Sequence, residues 1–226
     1  MRQSQNTLPA AILFDLDGTL VDSLPDLAWA INQLLAELGR KPATLADVRT
    51  WVGDGVSVLV ERCLDATGGA TERPLVDAVK CYLGYYRAHA AVDTRAFPGV
   101  LKTLTALRAA GHPLGVCTNK PTDLSVLLLD ALGMSDFFMA VVGGDGAPER
   151  KPHPGHLLAT LEAMGAGDRK ALMVGDSLND VAAAKAAGIP VVAVSFGYTR
   201  VPVDAMGADV VIDDFADLPR QAERFL

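Results

Sequence analysis

The chain has 226 residues, half of them apolar, enough to bury one large core or two modest ones. Lys and Arg number 20 against 27 Asp and Glu, a net charge of −7, which excludes the basic footprint that nonspecific nucleic-acid binding requires. Three cysteines (Cys63, Cys81, Cys117) form no C-x-x-C pair, no apolar stretch reaches membrane-spanning length, and the short run behind Arg2 is broken by Asp15, so a cytoplasmic, reduced protein with no secretory signal and no membrane partner is expected.

In chain order, Ala10-Ala11-Ile12-Leu13-Phe14 is a short apolar run ending at turn residues, the pattern of a buried parallel strand. From residue 23 to about 95 the pattern changes. Leu24, Leu27, Ile31, Leu34, Leu35 and Leu38 recur at helical spacing, then Val56, Leu59, Val60 and Cys63, then Leu75, Val79, Tyr82 and Tyr86. Gly39, Gly53, Gly55, Gly68 and Gly69 punctuate these helices, and Phe97-Pro98-Gly99 marks the return from them. Beyond Val100, strands at 113–117, 139–142, 171–174, 191–194 and 210–212 alternate with helices at about 100–110, 122–132, 155–164 and 179–187. The alternation predicts an α/β fold with a mostly parallel sheet covered on both faces, a Rossmann-like three-layer core. That core comprises residues 1–22 and 96–226, with 23–95 as an inserted helical subdomain.

Polar residues gather where these strands end, the edge at which open α/β sheets collect ligands. Asp15-Leu16-Asp17-Gly18-Thr19 sets two carboxylates after the first strand. They suit a shared hard cation, with one acid left to attack or to move a proton; the plain alternative is a strand end with an Asp-Gly turn. Thr118-Asn119-Lys120 follows the next strand and offers a hydroxyl and an amide to phosphoryl oxygens, or a cap to the helix at Thr122. In Lys151-Pro152-His153-Pro154 two prolines stiffen the backbone around a lysine, which suits a point charge held on phosphate, although by itself the segment reads first as a solvated surface lysine in a proline-rich loop. His153 reads as a loop histidine without a catalytic part, and His156 has no partner at metal spacing. Gly175-Asp176-Ser177-Leu178-Asn179-Asp180 adds two acids one helical turn apart, with Asp176 or Asn179 as the alternative helix cap.

Together the four segments resemble the haloacid dehalogenase superfamily of phosphohydrolases. D-x-D-G-T, T-N-K, K-P-x-P and G-D-S-x-x-D stand in that family's order and span nearly the whole chain. The helical block lies where the family inserts a small mobile cap. Leu20-Val21-Asp22-Ser23, Val52-Gly53-Asp54-Gly55-Val56, Phe97-Pro98-Gly99-Val100 and Ser195-Phe196-Gly197-Tyr198 resemble its subgroup acting on 2-phosphoglycolate. The resemblance implies that Asp15 attacks phosphorus to form an aspartyl-phosphate. Asp17 would protonate the leaving alcohol and later deprotonate water. Mg²⁺ would be held by Asp15, the Asp17 backbone carbonyl and Asp176, with Asp180 supporting. Thr118, Asn119 and Lys151 would bind the phosphoryl group.

The loop Arg49–Gly55 is expected to close over the site. There Gly53 and Gly55 would offer backbone N–H groups, and Arg49 or Arg62 a charge, to a substrate carboxylate; a plain helix–helix turn is the alternative. The partner expected is a small phosphorylated metabolite, bound by a monomer or homodimer. A sugar-phosphate phosphatase, a phosphosugar mutase and a non-catalytic phospho-acceptor remain as other readings. Gly53-Asp54-Gly55-Val56-Ser57-Val58 lacks the third glycine of a dinucleotide loop and follows no strand, and no G-x-x-x-x-G-K-[ST] loop occurs.

Overall fold

The computed structural model describes residues 9–69 and 72–225. Its first elements are β1 (Ala11–Phe14), β2 (Val21–Asp22), α1 (Leu24–Glu37), α2 (Leu45–Trp51), α3 (Val56–Ala66), α4 (Leu75–His89) and β3 (Arg95–Ala96). Then follow α5 (Val100–Ala109), β4 (Leu114–Cys117), α6 (Thr122–Ala131), β5 (Ala140–Val142), α7 (Pro154–Ala163), β6 (Ala171–Gly175), α8 (Leu178–Ala187), β7 (Val191–Val194), β8 (Val210–Ile212) and α9 (Leu218–Ala222).

Six strands form one sheet in the order β5-β4-β1-β6-β7-β8, and every pair is parallel. The chain runs outward from β1 to β5 on one side, then crosses to β6 and runs outward to β8. The C-terminal ends of β1 and β6 therefore flank the switch point of the sheet, where a crevice opens. The two-residue period of a strand sorts the side chains. Ile12 and Phe14 pack with Val100, Leu104 and Leu128 on one face, while Ala11 and Leu13 pack with Leu157, Leu161 and Val181 on the other. Both faces are covered by helices, which explains strands that are apolar throughout. This is the α/β, Rossmann-like architecture expected from the alternating pattern.

Helices α1–α4 stand between β2 and β3 and share a separate apolar cluster that includes Leu27, Ile31, Leu34, Leu59, Tyr82 and Tyr86. Burial of such a side chain contributes about 1.5–3 kcal/mol, so the four helices hold one another, and Leu124 and Tyr198 from the sheet region join the same cluster. The β2–β3 pair is antiparallel, Val21 opposite Ala96 and Asp22 opposite Arg95, and ties the exit from the core to the return. Asp26 in α1 reinforces the return: its buried carboxylate accepts from the Asp93 and Thr94 backbone N–H groups and from the Thr94 hydroxyl. No helix among the described residues is long and apolar enough to cross a membrane.

Candidate active site

Asp15 follows directly on β1, and its backbone N–H donates to the Val174 carbonyl of β6 at 2.9 Å, locking the loop to the neighbouring strand. Gly18 then turns the chain back with φ +90° and its N–H on the Val21 carbonyl. A Cβ at Gly18 would lie 2.4 Å from Asp176 Oδ2, so only glycine lets this turn approach the second acid. Asp176 follows β6 and accepts from the Thr19 hydroxyl at 3.1 Å and from the Tyr198 N–H at 2.6 Å. Asp180, in the first turn of α8, forms a capping box with Ser177. The helix is thus capped by Ser177, not by Asp176 or Asn179 as weighed from sequence, which leaves Asp176 free to face the site.

Asp15, Asp176 and Asp180 offer carboxylate oxygens that lie within 4.8 Å of one another. Lys151 stands among them: its ammonium donates to Asp15 at 2.8 Å, to Asp180 at 2.7 Å and to the Cys117 carbonyl at 2.6 Å. At 3 % exposure it is no solvated surface lysine. Burial works against its charged form, but the carboxylates of Asp15 and Asp180 outweigh that and raise its pKa. Burial pushes the Asp15 carboxyl up to about 6, with Lys151 opposing. Burial, and then the charges of Asp15 and Asp180, push Asp176 well above the usual carboxylate range. Three buried acids against one ammonium leave surplus negative charge on hard oxygen donors, which fits a hard divalent cation.

His156 buttresses this lysine. Its Nδ1 accepts from the Lys151 N–H at 3.2 Å, and Nε2 faces the carbonyls of Val142 and Gly143. Burial and the Lys151 charge press its pKa down to about 4, so the ring is neutral and serves as a strut. His153 caps α7 by accepting from the Gly155 N–H.

Asp17 lines the same crevice as Asp15. Lys120 holds its carboxylate at 3.0 and 3.1 Å, and the Ser23 hydroxyl donates to it. Thr118 is buried at the end of β4 and lines the same crevice as Asp15 and Lys151. Asn119 donates to the Lys151 carbonyl at 2.9 Å and the Gly53 carbonyl at 3.1 Å, so its amide N–H groups brace loops. Neither Thr118 nor Asn119 caps α6, whose N-cap is Pro121.

The expected loop Arg49–Gly55 is shorter than read: Arg49 lies in the last turn of α2, and the loop spans 52–55. Gly53 and Gly55 line the crevice. The Arg49 guanidinium donates to the Gly197 carbonyl and sits 5.9 Å over the Tyr198 ring, and Arg62 pairs with Asp54. Neither arginine is among the residues lining the crevice. Asp54 instead gathers Arg62, Arg200 and Asn179. Burial opposes its charge, but these three donors bring its carboxyl down to about 2. The sequence reading gave no functional part to Lys120 or Arg200, placed Tyr82 and Tyr86 only on the apolar face of a helix and Ser23 only within a motif; Lys120 stood within the Thr118-Asn119-Lys120 segment, where it was the one signal available.

An acid after β1 meets a buried lysine and two further acids of a second strand–helix junction at the switch point of a parallel sheet, the place where an α/β enzyme gathers its reacting groups. The family model of the haloacid dehalogenase-like hydrolases matches residues 12–194, and the chain belongs to that family. It is 47% identical over 212 residues to the phosphoglycolate phosphatase of Caulobacter vibrioides, covering 93% of this chain and 90% of the relative. It is 49% identical over 216 residues to that of Rhodospirillum rubrum, with the same coverage. The crystal structure of a predicted phosphoglycolate phosphatase from Haemophilus somnus superimposes with a TM-score of 0.90 at 38% identity, covering 96% of this chain and 99% of that one.

Proposed function

We propose that this hydrolase cleaves a small phosphomonoester, 2-phosphoglycolate, to glycolate and phosphate through an aspartyl-phosphate on Asp15. The observation that carries this reading is the meeting of Asp15, Asp17, Lys151 and Asp176 at one sheet edge. The relatives named phosphoglycolate phosphatase support the choice of substrate.

The chemistry follows from the residues. A carboxylate nucleophile and a dianionic phosphate repel each other, so the charge between them must be neutralised first. The Lys151 ammonium, already 2.8 Å from Asp15, does this on one side, and the Thr118 hydroxyl donates to a phosphoryl oxygen. Asp15, the Asp17 backbone carbonyl and Asp176 would hold Mg²⁺, with Asp180 supporting; when bound, the ion neutralises phosphoryl charge beside the nucleophile. An Asp15 oxygen attacks phosphorus, the bond from phosphorus to the ester oxygen breaks, and Asp17 gives its proton to the departing glycolate. Asp17 then takes a proton from the water that attacks phosphorus, and the phosphorus bond to Asp15 breaks. Lys120 and Ser23 hold Asp17 in place for both transfers. Asn119 keeps the Lys151 backbone and the Gly53 loop together.

In this reading residues 23–95 are a cap that closes on a core of 1–22 and 96–226, with Gly53 and Gly55 at its lip. Three free cysteines, two of them buried, accord with a cytoplasmic enzyme.

The test is phosphate release from 2-phosphoglycolate, glycerol phosphate and sugar phosphates, with and without Mg²⁺. The expected result is Mg²⁺-dependent release favouring 2-phosphoglycolate, abolished in a folded Asp15→Asn variant. An active Asp15→Asn enzyme would falsify the nucleophile. Interconversion of glucose 1-phosphate without phosphate release would replace the phosphatase by a mutase.

A further inference from the structure

Between Asp15 and helices α1, α3 and α4 lies a small chamber of about 50 Å³. Leu27, Val56, Leu59 and Leu124 make most of its wall apolar. Into this apolar space the fold brings a lysine and two tyrosines from opposite sides. Lys120 comes from the loop after β4, and Tyr82 and Tyr86, one turn apart on α4, lie parallel at 6.1 Å between ring centroids. The Lys120 ammonium donates to the Tyr86 hydroxyl at 2.8 Å and to Asp17, and it lies 4.3 Å from the Tyr86 ring centroid.

The Tyr82 hydroxyl is buried and has no hydrogen-bond partner. Among the described residues one other buried side-chain polar atom shares that condition, Asn119 Oδ1, and it belongs to the same chamber. Buried polar groups are nearly always paired, and an orphan destabilises the fold, so two at one address mark a place where something else supplies the partner. The atoms say what that is. The Tyr82 hydroxyl is a donor short of an acceptor, and the Lys120 ammonium, held by Asp17 and by the hydroxyl of the stacked Tyr86, sets a positive charge in the same chamber, so an anionic acceptor fits there. Burial raises the Tyr82 pKa, so the hydroxyl keeps its proton and acts as donor. Asn119 Oδ1 is an acceptor and suits the other half of the ligand, the hydroxyl of a released alcohol.

We propose that Lys120 and Tyr82 form a carboxylate subsite that makes the enzyme selective for phosphoesters of short hydroxy acids. The proposal rests on the phosphatase reading and deepens it. Lys151 serves the phosphoryl end of the substrate and Lys120 the carboxylate end, and the mostly apolar wall around them offers little to the further hydroxyls of a sugar. Tyr86 is a positioning residue that steers the Lys120 ammonium.

The test compares 2-phosphoglycolate with ethyl phosphate, which has the same ester and the same two carbons but no carboxylate, using the full chain with Mg²⁺. Wild-type kcat/KM is expected to favour 2-phosphoglycolate by about 100-fold or more, since a site built to hydrogen-bond a group rejects the analogue lacking it. Tyr82→Phe is expected to lower that ratio by about 10-fold, through a higher KM for 2-phosphoglycolate, to weaken competitive inhibition by glycolate to the same degree, and to raise Tm. A wild-type enzyme that hydrolyses both esters equally overturns the subsite and leaves the phosphatase reading standing. A wild-type enzyme that hydrolyses neither overturns both. A Tyr82→Phe enzyme with an unchanged ratio and unchanged glycolate inhibition overturns the assignment of Tyr82, and a Tm that rises in that variant then marks the hydroxyl as a plain structural defect.

Discussion

The two walls of the crevice are built on opposite principles. On the core wall the charged groups are over-determined: Lys151 has three acceptors within 2.8 Å, and Asp176 has two donors and a glycine on each side that no larger residue could replace. On the helical wall, the Tyr82 hydroxyl stands in apolar surroundings without a partner, and the loop at 52–55 is held by half-exposed ion pairs through Asp54 and by the Asn119 and Asn179 amides on the Gly53 carbonyl. The difference teaches that rigid preorganisation is concentrated where charge is handled in every turnover. In the proposed reading the helical wall meets the carboxylate end of the substrate, where half-exposed contacts suit a closing cap.

The comparison breaks first at Lys151. Lys151→Met leaves Asp15 and Asp180 buried without their counter-ion, a defect of about 3–5 kcal/mol in denaturant unfolding when one partner of a buried pair is removed, with phosphate release lost. An active, fully stable variant would show that the core wall is not charge-locked.

Asp176→Asn sharpens the same point through pH. Burial raises Asp15 to about 6 and Asp176 well above its ordinary value, so these acids add stability below about pH 4 and lose it as pH rises through their folded values. In EDTA, Asp176→Asn is therefore expected to be more stable than wild type at pH 8 and equal to it near pH 4. The amide still accepts from Tyr198 and donates to the Thr19 hydroxyl. Adding Mg²⁺ at pH 8 is expected to raise the wild-type Tm, as a ligand of the native state does, and to leave the variant unmoved. Thermal unfolding with and without the ion at both pH values reads this directly.

On the other wall, Asp54→Ala removes the shared partner of Arg62, Arg200 and Asn179. Half-exposed pairs contribute about 0–1 kcal/mol to stability, so Tm is expected to stay within a degree or two while kcat/KM falls about 5-fold as closure weakens. Stopped-flow fluorescence of Trp51, one residue before the loop, is the measurement; an unaltered closing rate argues against a latch. The smallest effect is the stability side of Tyr82→Phe, a gain of about 1 kcal/mol from deleting an unpaired buried hydroxyl, seen by urea titration.

Much of the core was legible because its signals are local. Apolar runs of four or five residues ending in Asp, Thr-Asn or Gly-Asp reveal both the strands and the groups they deliver, and β1, β4 and β6 lie within a residue or so of the expected positions. Other features were not local. The two-residue strands β2 and β3 have no periodicity to detect, and α2 spans only Leu45–Trp51, so its last turn reads as loop. Arg49 and Arg62 are cations near a glycine-rich loop, and nothing in their spacing tells that a backbone carbonyl and Asp54 take them.

What the amino-acid order alone determined is the inventory: a parallel α/β sheet, four polar segments at strand ends, and a helical insertion whose apolar period is unmistakable. Those properties follow from neighbouring residues, because strand and helix periods and turn chemistry act within a few positions. Tertiary structure alone decided the pairings: Lys151 with Asp15 across 136 positions, Lys120 with Asp17 across 103, and Tyr82 left without a partner beside them. Such choices depend on which donors and acceptors the packed helices and sheet bring within 3 Å, and that distance is set by the whole core at once.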